Sequence, residues 1–259
     1  MLYLKLLKLP TDDVTNPNIY PYNVLREKRD DYMIFDRITI LYGSNGRGKS
    51  TLLNLIAAHF NMAGYEHTKH FYWDTYLNNI GFEMAENDTG SPLFPANTRY
   101  IKSEDILYEI KKIQSAAILE ESYHYQRRQL GITKTELLAE KETYQYKKQL
   151  ENITFSQEKY SNGETSMQIF EDYIEADSLL LLDEPEVSLS PENQLKLAAM
   201  INQAARLLDT QFIISTHSPL LLGSLDATIY DLDRPGLQTA NWRELETVKT
   251  YAKFFIDHY

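Results

Sequence analysis

The chain has 259 residues, 43% of them hydrophobic and 24% charged, with 10 Gly, 9 Pro and no Cys, an ordinary globular composition. Its 26 basic and 37 acidic residues leave a net charge of −11, the opposite of the electrostatic footprint of a dedicated duplex binder. The lack of cysteine excludes a disulfide framework, a zinc-thiolate site and a thiol nucleophile, and makes a cytoplasmic location the expectation. The longest aliphatic stretch is Leu179 to Leu182, and Lys5 and Lys8 break up the apolar N-terminus, so neither direct membrane insertion nor an export signal is expected.

In chain order, the alternation of Leu2, Leu4 and Leu6 predicts a strand, and the β-rich run Arg37 to Tyr42 predicts another, after a turn at Asp30-Asp31. Thr51 to Ala58 has no breaker and reads as a helix, so residues 37–58 form strand, turn and helix. Residues 61–96, rich in aromatics, Asn, Gly and Pro, predict short strands and loops. Ile106, Ile110, Ile113 and Ala117 recur at helical spacing, and Thr133 to Glu136 is a capping-box pattern, which together predict a helical lobe over about 102–175. Residues 102–160 hold 10 basic and 10 acidic side chains, so the net acidity lies outside this segment. Ser178 to Leu182 predicts a buried strand, Ser190-Pro191 the N-cap and first residue of a helix with apolar face Leu197, Ile201, Ala204 and Leu208, and Gln211 to Ser215 a further strand. Strands alternating with helices argue for an α/β domain with a largely parallel sheet, an antiparallel β subdomain and an inserted helical lobe, all within one domain over 1–259.

The strongest chemical signal is Gly43-Ser44-Asn45-Gly46-Arg47-Gly48-Lys49-Ser50, which fits G-x-x-x-x-G-K-[ST] between a predicted strand and a predicted helix. Its glycines let backbone N–H groups converge on phosphate oxygens, and the helix N-terminus adds partial positive charge. Lys49 would reach the β- and γ-phosphates, Ser50 would ligate Mg²⁺, and Thr51 continues the nucleotide-binding set. The apolar strand Leu179 to Leu182 ends in Asp183 and Glu184, and a turn at Pro185 would bring both carboxylates to the nucleotide crevice. There Asp183 would orient the magnesium ion and Glu184 would act as general base on the attacking water. Ser161-Asn162-Gly163-Glu164 reads either as a capping box or as a phosphate site at a helix start. Thr216-His217-Ser218-Pro219 follows the strand Gln211 to Ser215, and its histidine is either structural or part of the same constellation.

Taken in this order, the four elements resemble those of the ABC-type ATPase family: Walker A, signature, Walker B and histidine switch, over most of the chain from Arg37 to Asp231. The short signature at Gly163-Glu164 and the Thr216 to Pro219 run look more like the soluble SMC, RecF and overcoming-lysogenization-defect branch than like transporter subunits. Asp226 to Asp233 and Tyr20 to Asn23 are similar to small stand-alone bacterial "AAA family ATPases". The resemblance implies a P-loop fold, ATP and Mg²⁺ as ligands, and a nucleotide-dependent head-to-tail homodimer. In that dimer Ser161 and Gly163 of one copy face the phosphate held by Lys49 of the other, and His217 contacts that phosphate and the attacking water. The chain departs from the pattern with Tyr160 and Asn162 in its signature and a loop Ser188-Leu189-Ser190-Pro191 that has no Asp. A Q-loop glutamine has no clear match, and Glu104 is the candidate there, as a metal-side ligand or as a first-turn helix acid. Tyr20 and Tyr22 are candidates for stacking the adenine ring.

The leading functional expectation is thus an ATP-hydrolysing protein that passes its nucleotide state to a partner protein or nucleic acid. The alternatives are the ATP-binding subunit of an ABC transporter, which the unusual signature disfavours, and a non-hydrolysing scaffold, which the intact Lys49, Ser50, Asp183, Glu184 and His217 disfavour.

Overall fold

The computed structural model describes residues 2–11, 18–70, 72–111, 162–187 and 189–258. Two sheets are present among them. The larger has five parallel strands in the order β5 (Asn97–Lys102), β6 (Ser178–Asp183), β7 (Gln211–Ser215), β3 (Ile38–Tyr42) and β8 (Thr228–Asp231), with a short antiparallel edge strand β9 (Gln238–Thr239). The smaller is antiparallel, with β1 (Leu4–Lys8) between β2 (Tyr32–Ile34) and β4 (Gly81–Met84).

The central strands are buried on both faces, and their period of two sorts the side chains into two cores. Leu41, Leu179, Leu181 and Ile213 face one core, against Leu52, Leu53, Leu55 and Ile56 of α2 (Lys49–His59). Ile40, Leu180, Leu182, Phe212 and Ile214 face the other, against α5 (Pro191–Leu207) and α6 (Pro219–Ser224). In α5 the buried stripe is Leu197, Ala198, Ile201, Ala204 and Ala205; Leu208, expected on it, is the C-cap residue and stays 39% exposed. Ser190 caps α5 as expected, its side chain accepting the Asn193 N–H ahead of Pro191.

Residues 61–96, expected as strands and loops, also contain the helix α3 (Trp73–Asn79). Its Trp73 and Tyr76 are almost fully buried beside α1 (Tyr22–Leu25), so tertiary packing of two aromatics outweighs a composition rich in turn formers. Of the expected helical lobe, residues 103–111 are helical with Ile106 and Ile110 buried in the second core, and α4 (Asn162–Tyr173) returns to it through Ile169 and Phe170. The predicted turn of helix at 133–136, with Ile113 and Ala117, lies outside the described residues. The C-terminal α7 (Glu246–His258) completes the elements, tied to β3 by Tyr42 through its hydroxyl and Thr247.

Two side chains join the two sheets: the Tyr230 hydroxyl of β8 accepts the Ile34 N–H at 2.8 Å and donates to the Ile34 carbonyl at 2.9 Å on β2, and Gln211 binds β1. Gln211, fully buried at the start of β7, accepts the N–H groups of Tyr3 and Leu4 at 2.9 Å each and donates to the carbonyls of Leu4 at 2.8 Å and Asp36 at 3.2 Å. Its amide thereby supplies the backbone partners that no strand provides there.

β5 is held in place by the chain after α2, where the Tyr100 N–H donates to the Ala63 carbonyl at 2.8 Å. Gly64, at φ +90°, comes so close to Tyr100 that a Cβ would lie 2.0 Å from the Tyr100 carbonyl oxygen. Gly64→Ala is expected to destabilise the fold by more than the ~1–2 kcal/mol that a left-handed backbone alone costs an L-residue. A urea melt that leaves the midpoint unchanged would contradict this account.

Candidate functional site

The C-terminal ends of β3, β6 and β7 lie side by side, and the loops leaving them carry the polar residues. β3 runs into the turn Gly43 to Gly48, and α2 starts at Lys49, the strand, turn and helix order that the glycine-rich motif requires. Gly48 has φ +96°, and a Cβ there would lie 2.9 Å from Leu25, so the turn can close against α1 only with glycine at this position. Lys49 is buried, and its ammonium donates to the carbonyl of Gly43 at 2.8 Å, lies 3.4 Å from that of Ser44, and meets His217 Nε2 at 2.7 Å. An ammonium has only donors, so His217 Nε2 accepts, which puts the imidazole proton on Nδ1. Burial pushes the Lys49 pKa down, opposed by the nearby carboxylates of Glu184 and Asp183.

Asp183 ends β6 and is 9% exposed. One of its oxygens accepts the Tyr100 hydroxyl at 3.0 Å and the other the Ser215 hydroxyl in a short hydrogen bond. Burial first, and the Asp183 charge second, raise the Tyr100 pKa, so the phenol remains a donor through the ordinary pH range. Glu184 has a left-handed backbone, φ 51°, held by its N–H bond to the Ser215 carbonyl at 3.0 Å. The reversal expected at Pro185 therefore occurs one residue earlier, and it brings Glu184 Oε1 to 3.6 Å from His217 Nε2. Such a backbone costs a non-glycine residue on the order of 1–3 kcal/mol, and it persists where surrounding bonds over-determine it.

Ser50, Thr51, Glu104, Asp183 and Glu184 line one cavity of about 620 Å³, together with Tyr20. Ser50, Asp183 and Glu104 are hard oxygen donors of the kind that Mg²⁺ takes, and Asp183 is oriented from behind by two hydroxyls. Ser50 and Asp183 have the donor chemistry of a magnesium site, while among the described residues no group of three His, Cys, Asp or Glu side chains converges as a metal cluster. Of the two candidate base-stacking tyrosines, Tyr22 is 8% exposed and packed edge-on against Tyr76, whereas Tyr20 reaches the cavity, 3.3 Å from Thr51 Oγ1. Ser161 lies outside the described residues; Gly163 is in the first turn of α4.

Four residues at the site were not singled out from the sequence. Ser215 is there only the last residue of a predicted strand, and Tyr100 and Glu186 carry no assignment. The fourth, Asp233, accepts both the N–H of Ser44 at 2.9 Å and its hydroxyl at 2.9 Å, and pairs with Arg47 at 3.2 Å. It braces the outer side of the glycine-rich turn, so Ser44 and Arg47 are engaged by a carboxylate of the chain itself.

The family described as "AAA domain, putative AbiEii toxin, Type IV TA system" matches residues 59–223, well over half of the chain and inclusive of Asp183, Glu184 and His217. The chain belongs to this family. It is also 23% identical over 227 residues, 79% of its length and 82% of the other's, to the "Probable ABC transporter ATP-binding protein p29" of Mesomycoplasma hyorhinis. Among solved structures it is similar to the SMC head domain of Thermotoga maritima, at 14% identity and TM-score 0.44 over 93% of this chain and 99% of that one. A nucleotide-free ATP-binding cassette of an ABC transporter gives 13% identity and TM-score 0.45 over 96% and 95%. The chain is thus an AAA-domain protein of α/β fold, with a glycine-rich P-loop turn between β3 and α2 of a mostly parallel sheet. No helix among the described residues is long and apolar enough to cross a membrane.

Two outcomes follow from the geometry. Tyr100→Phe removes a hydrogen bond to a buried carboxylate and is expected to cost about 1.5–3 kcal/mol, read from urea denaturation. Glu186 is pushed above its ordinary carboxylate value chiefly by burial, so the folded chain holds a proton there that the unfolded chain has lost. That difference lowers stability as pH rises from the ordinary glutamate value through the raised one. The melting temperature of Glu186→Gln relative to wild type is expected to rise across that window; a flat difference would show that Glu186 does not titrate this way.

Proposed function

We propose that the chain hydrolyses ATP to ADP and phosphate with Mg²⁺, as one domain over 1–259 with a helical insertion at about 102–175, closing as a head-to-tail dimer around the nucleotide. The observation that carries the reading is the convergence of Lys49, Glu184 and His217, three groups from three separate strand ends, at 2.7 and 3.6 Å around one imidazole nitrogen. Lys49, with N–H groups of the glycine-rich turn beyond Ser44, binds the phosphates, and the charge of its ammonium neutralises the charge that develops in phosphoryl transfer. Glu184, turned back over the crevice by its left-handed backbone, takes the proton of the attacking water. His217 orients the water and the terminal phosphate between Lys49 and Glu184. Ser50 and Asp183 would hold Mg²⁺, with Glu104 on the same side; the ion supplies charge neutralisation on the phosphate oxygens.

In the closed dimer Ser161 and Gly163 would complete the site of the other copy, and dimer opening after hydrolysis would signal to a partner protein or nucleic acid, in the cytoplasm. Residues 102–160, with 10 basic and 10 acidic side chains on a chain of net charge −11, present no basic excess, which favours a protein partner over non-specific binding to duplex.

Glu184→Gln is expected to bind MgATP with an affinity close to wild type while turnover falls by roughly 10²–10⁴-fold, the usual contribution of a general base. Light scattering on this variant should register a dimer with ATP and Mg²⁺ and a monomer without; a monomer under both conditions would count against the sandwich. Lys49→Ala is expected to abolish nucleotide binding in a calorimetric titration, and unchanged affinity would remove the phosphate-binding assignment.

A further inference from the structure

Glu186 stands two residues beyond Glu184 and touches neither Lys49 nor the cavity residues in any hydrogen bond or ion pair. Its Oε1 accepts the backbone N–H of His217 at 2.7 Å and that of Ser218 at 3.2 Å. Its other oxygen, Oε2, is buried and without a hydrogen-bond partner. A carboxylate held at that cost in a folded protein calls for a reason.

Capping α6 does not supply one. The Ser218 hydroxyl already accepts the N–H groups of Leu220 and Leu221 at 3.2 Å each, and the Ser218 N–H has a second acceptor in Thr216 Oγ1 at 3.0 Å. Beside a hydrogen bond with the Thr216 side chain, Glu186 supplies the bond to the His217 N–H. That bond fixes the peptide from which the imidazole projects, 2.7 Å from Lys49 Nζ and 3.6 Å from Glu184 Oε1. The same unit is anchored at its far side, where Ser218 Oγ donates to Gln194 Oε1 at 2.6 Å and Gln194 donates to the Leu189 carbonyl at 3.0 Å. The segment after β6 and the segment after β7 are therefore one hydrogen-bonded body with His217 at its tip.

We propose that Glu186 is a positioning residue, which sets the His217 imidazole between Lys49 and Glu184 by clamping the His217 backbone N–H. The inference rests on the ATPase reading for its kinetic consequence, while the placement of the imidazole stands without it.

The test uses the full chain with Glu186→Met, which keeps the buried volume and removes the acceptor, and Glu186→Gln, which keeps the acceptor. Glu186→Ala serves in place of the Met variant if circular dichroism finds the latter unfolded. Loss of an orienting outer-shell partner is expected to lower kcat by about 10–100-fold. The KM for ATP should stay within about threefold, since Lys49 and Ser50 are untouched, and Glu186→Gln should retain kcat within about threefold. On a His217→Ala background, Glu186→Met should cost less than about twofold further, because its effect passes through His217. Additive losses in the double variant, or a raised KM with kcat unchanged, would overturn the proposal. The independent readout is the ¹⁵N imidazole signal of His217, assigned by its loss in His217→Ala. It should shift in Glu186→Met and hold in Glu186→Gln, and an unmoved signal in the Met variant would equally overturn the proposal. Absence of any turnover in the wild type would sink the ATPase reading, and the imidazole signals would still decide the role of Glu186.

Discussion

The site depends on the register of one central strand. Ser215, the last residue of β7, is paired with Leu41 of β3 on one side and with Asp183 of β6 on the other. That pairing brings the glycine-rich turn, the two carboxylates and the histidine loop out at the same height on the same edge of the sheet. Ser215 also works locally, with its hydroxyl on Asp183 and its carbonyl on the Glu184 N–H. A slip of one residue in β7 would move Phe212 and Ile214 from one core to the other, so the burial of the sheet on both faces enforces the alignment that the chemistry requires.

Much of this was legible in the sequence because the signals were short and local. Gly43 to Ser50 names its own conformation, since each glycine answers a steric demand of the turn, and the apolar run before Asp183 announces a buried strand. Ser190-Pro191 starts a helix as its capping chemistry predicts, and Ser218-Pro219, read only as part of the histidine run, starts another in the same way. The parts not legible are those where the partner is remote. Tyr100 meets Asp183 across 83 positions and Asp233 meets Ser44 across 189, and nothing in the flanking residues of either marks the contact. Helix α3 was missed for a related reason: Trp73 and Tyr76 form it by packing on Tyr20 and Tyr22, a neighbourhood that exists only in the folded chain.

The electrostatics of the crevice follow from the same alignment. A buried lysine is unfavourable by itself, and the carboxylates of Glu184 and Asp183 act to keep Lys49 charged against that burial. Opposed terms of this kind hold a cation where water is scarce, so that its field acts at short range on whatever anion enters. Asp233 and Arg47 form a second, more exposed charge pair on the outer side of the same turn, where solvent screens them and their value lies in holding the loop.

Gln211 links the two sheets with a side chain in place of a strand. Because its bonds to Tyr3 and Leu4 are buried, the N–H groups of these two residues cannot reach solvent unless the start of β7 also opens. The small antiparallel sheet should thus belong to the same foldon as the central strands, and these two amides should exchange their hydrogens only at the slow rate set by global unfolding.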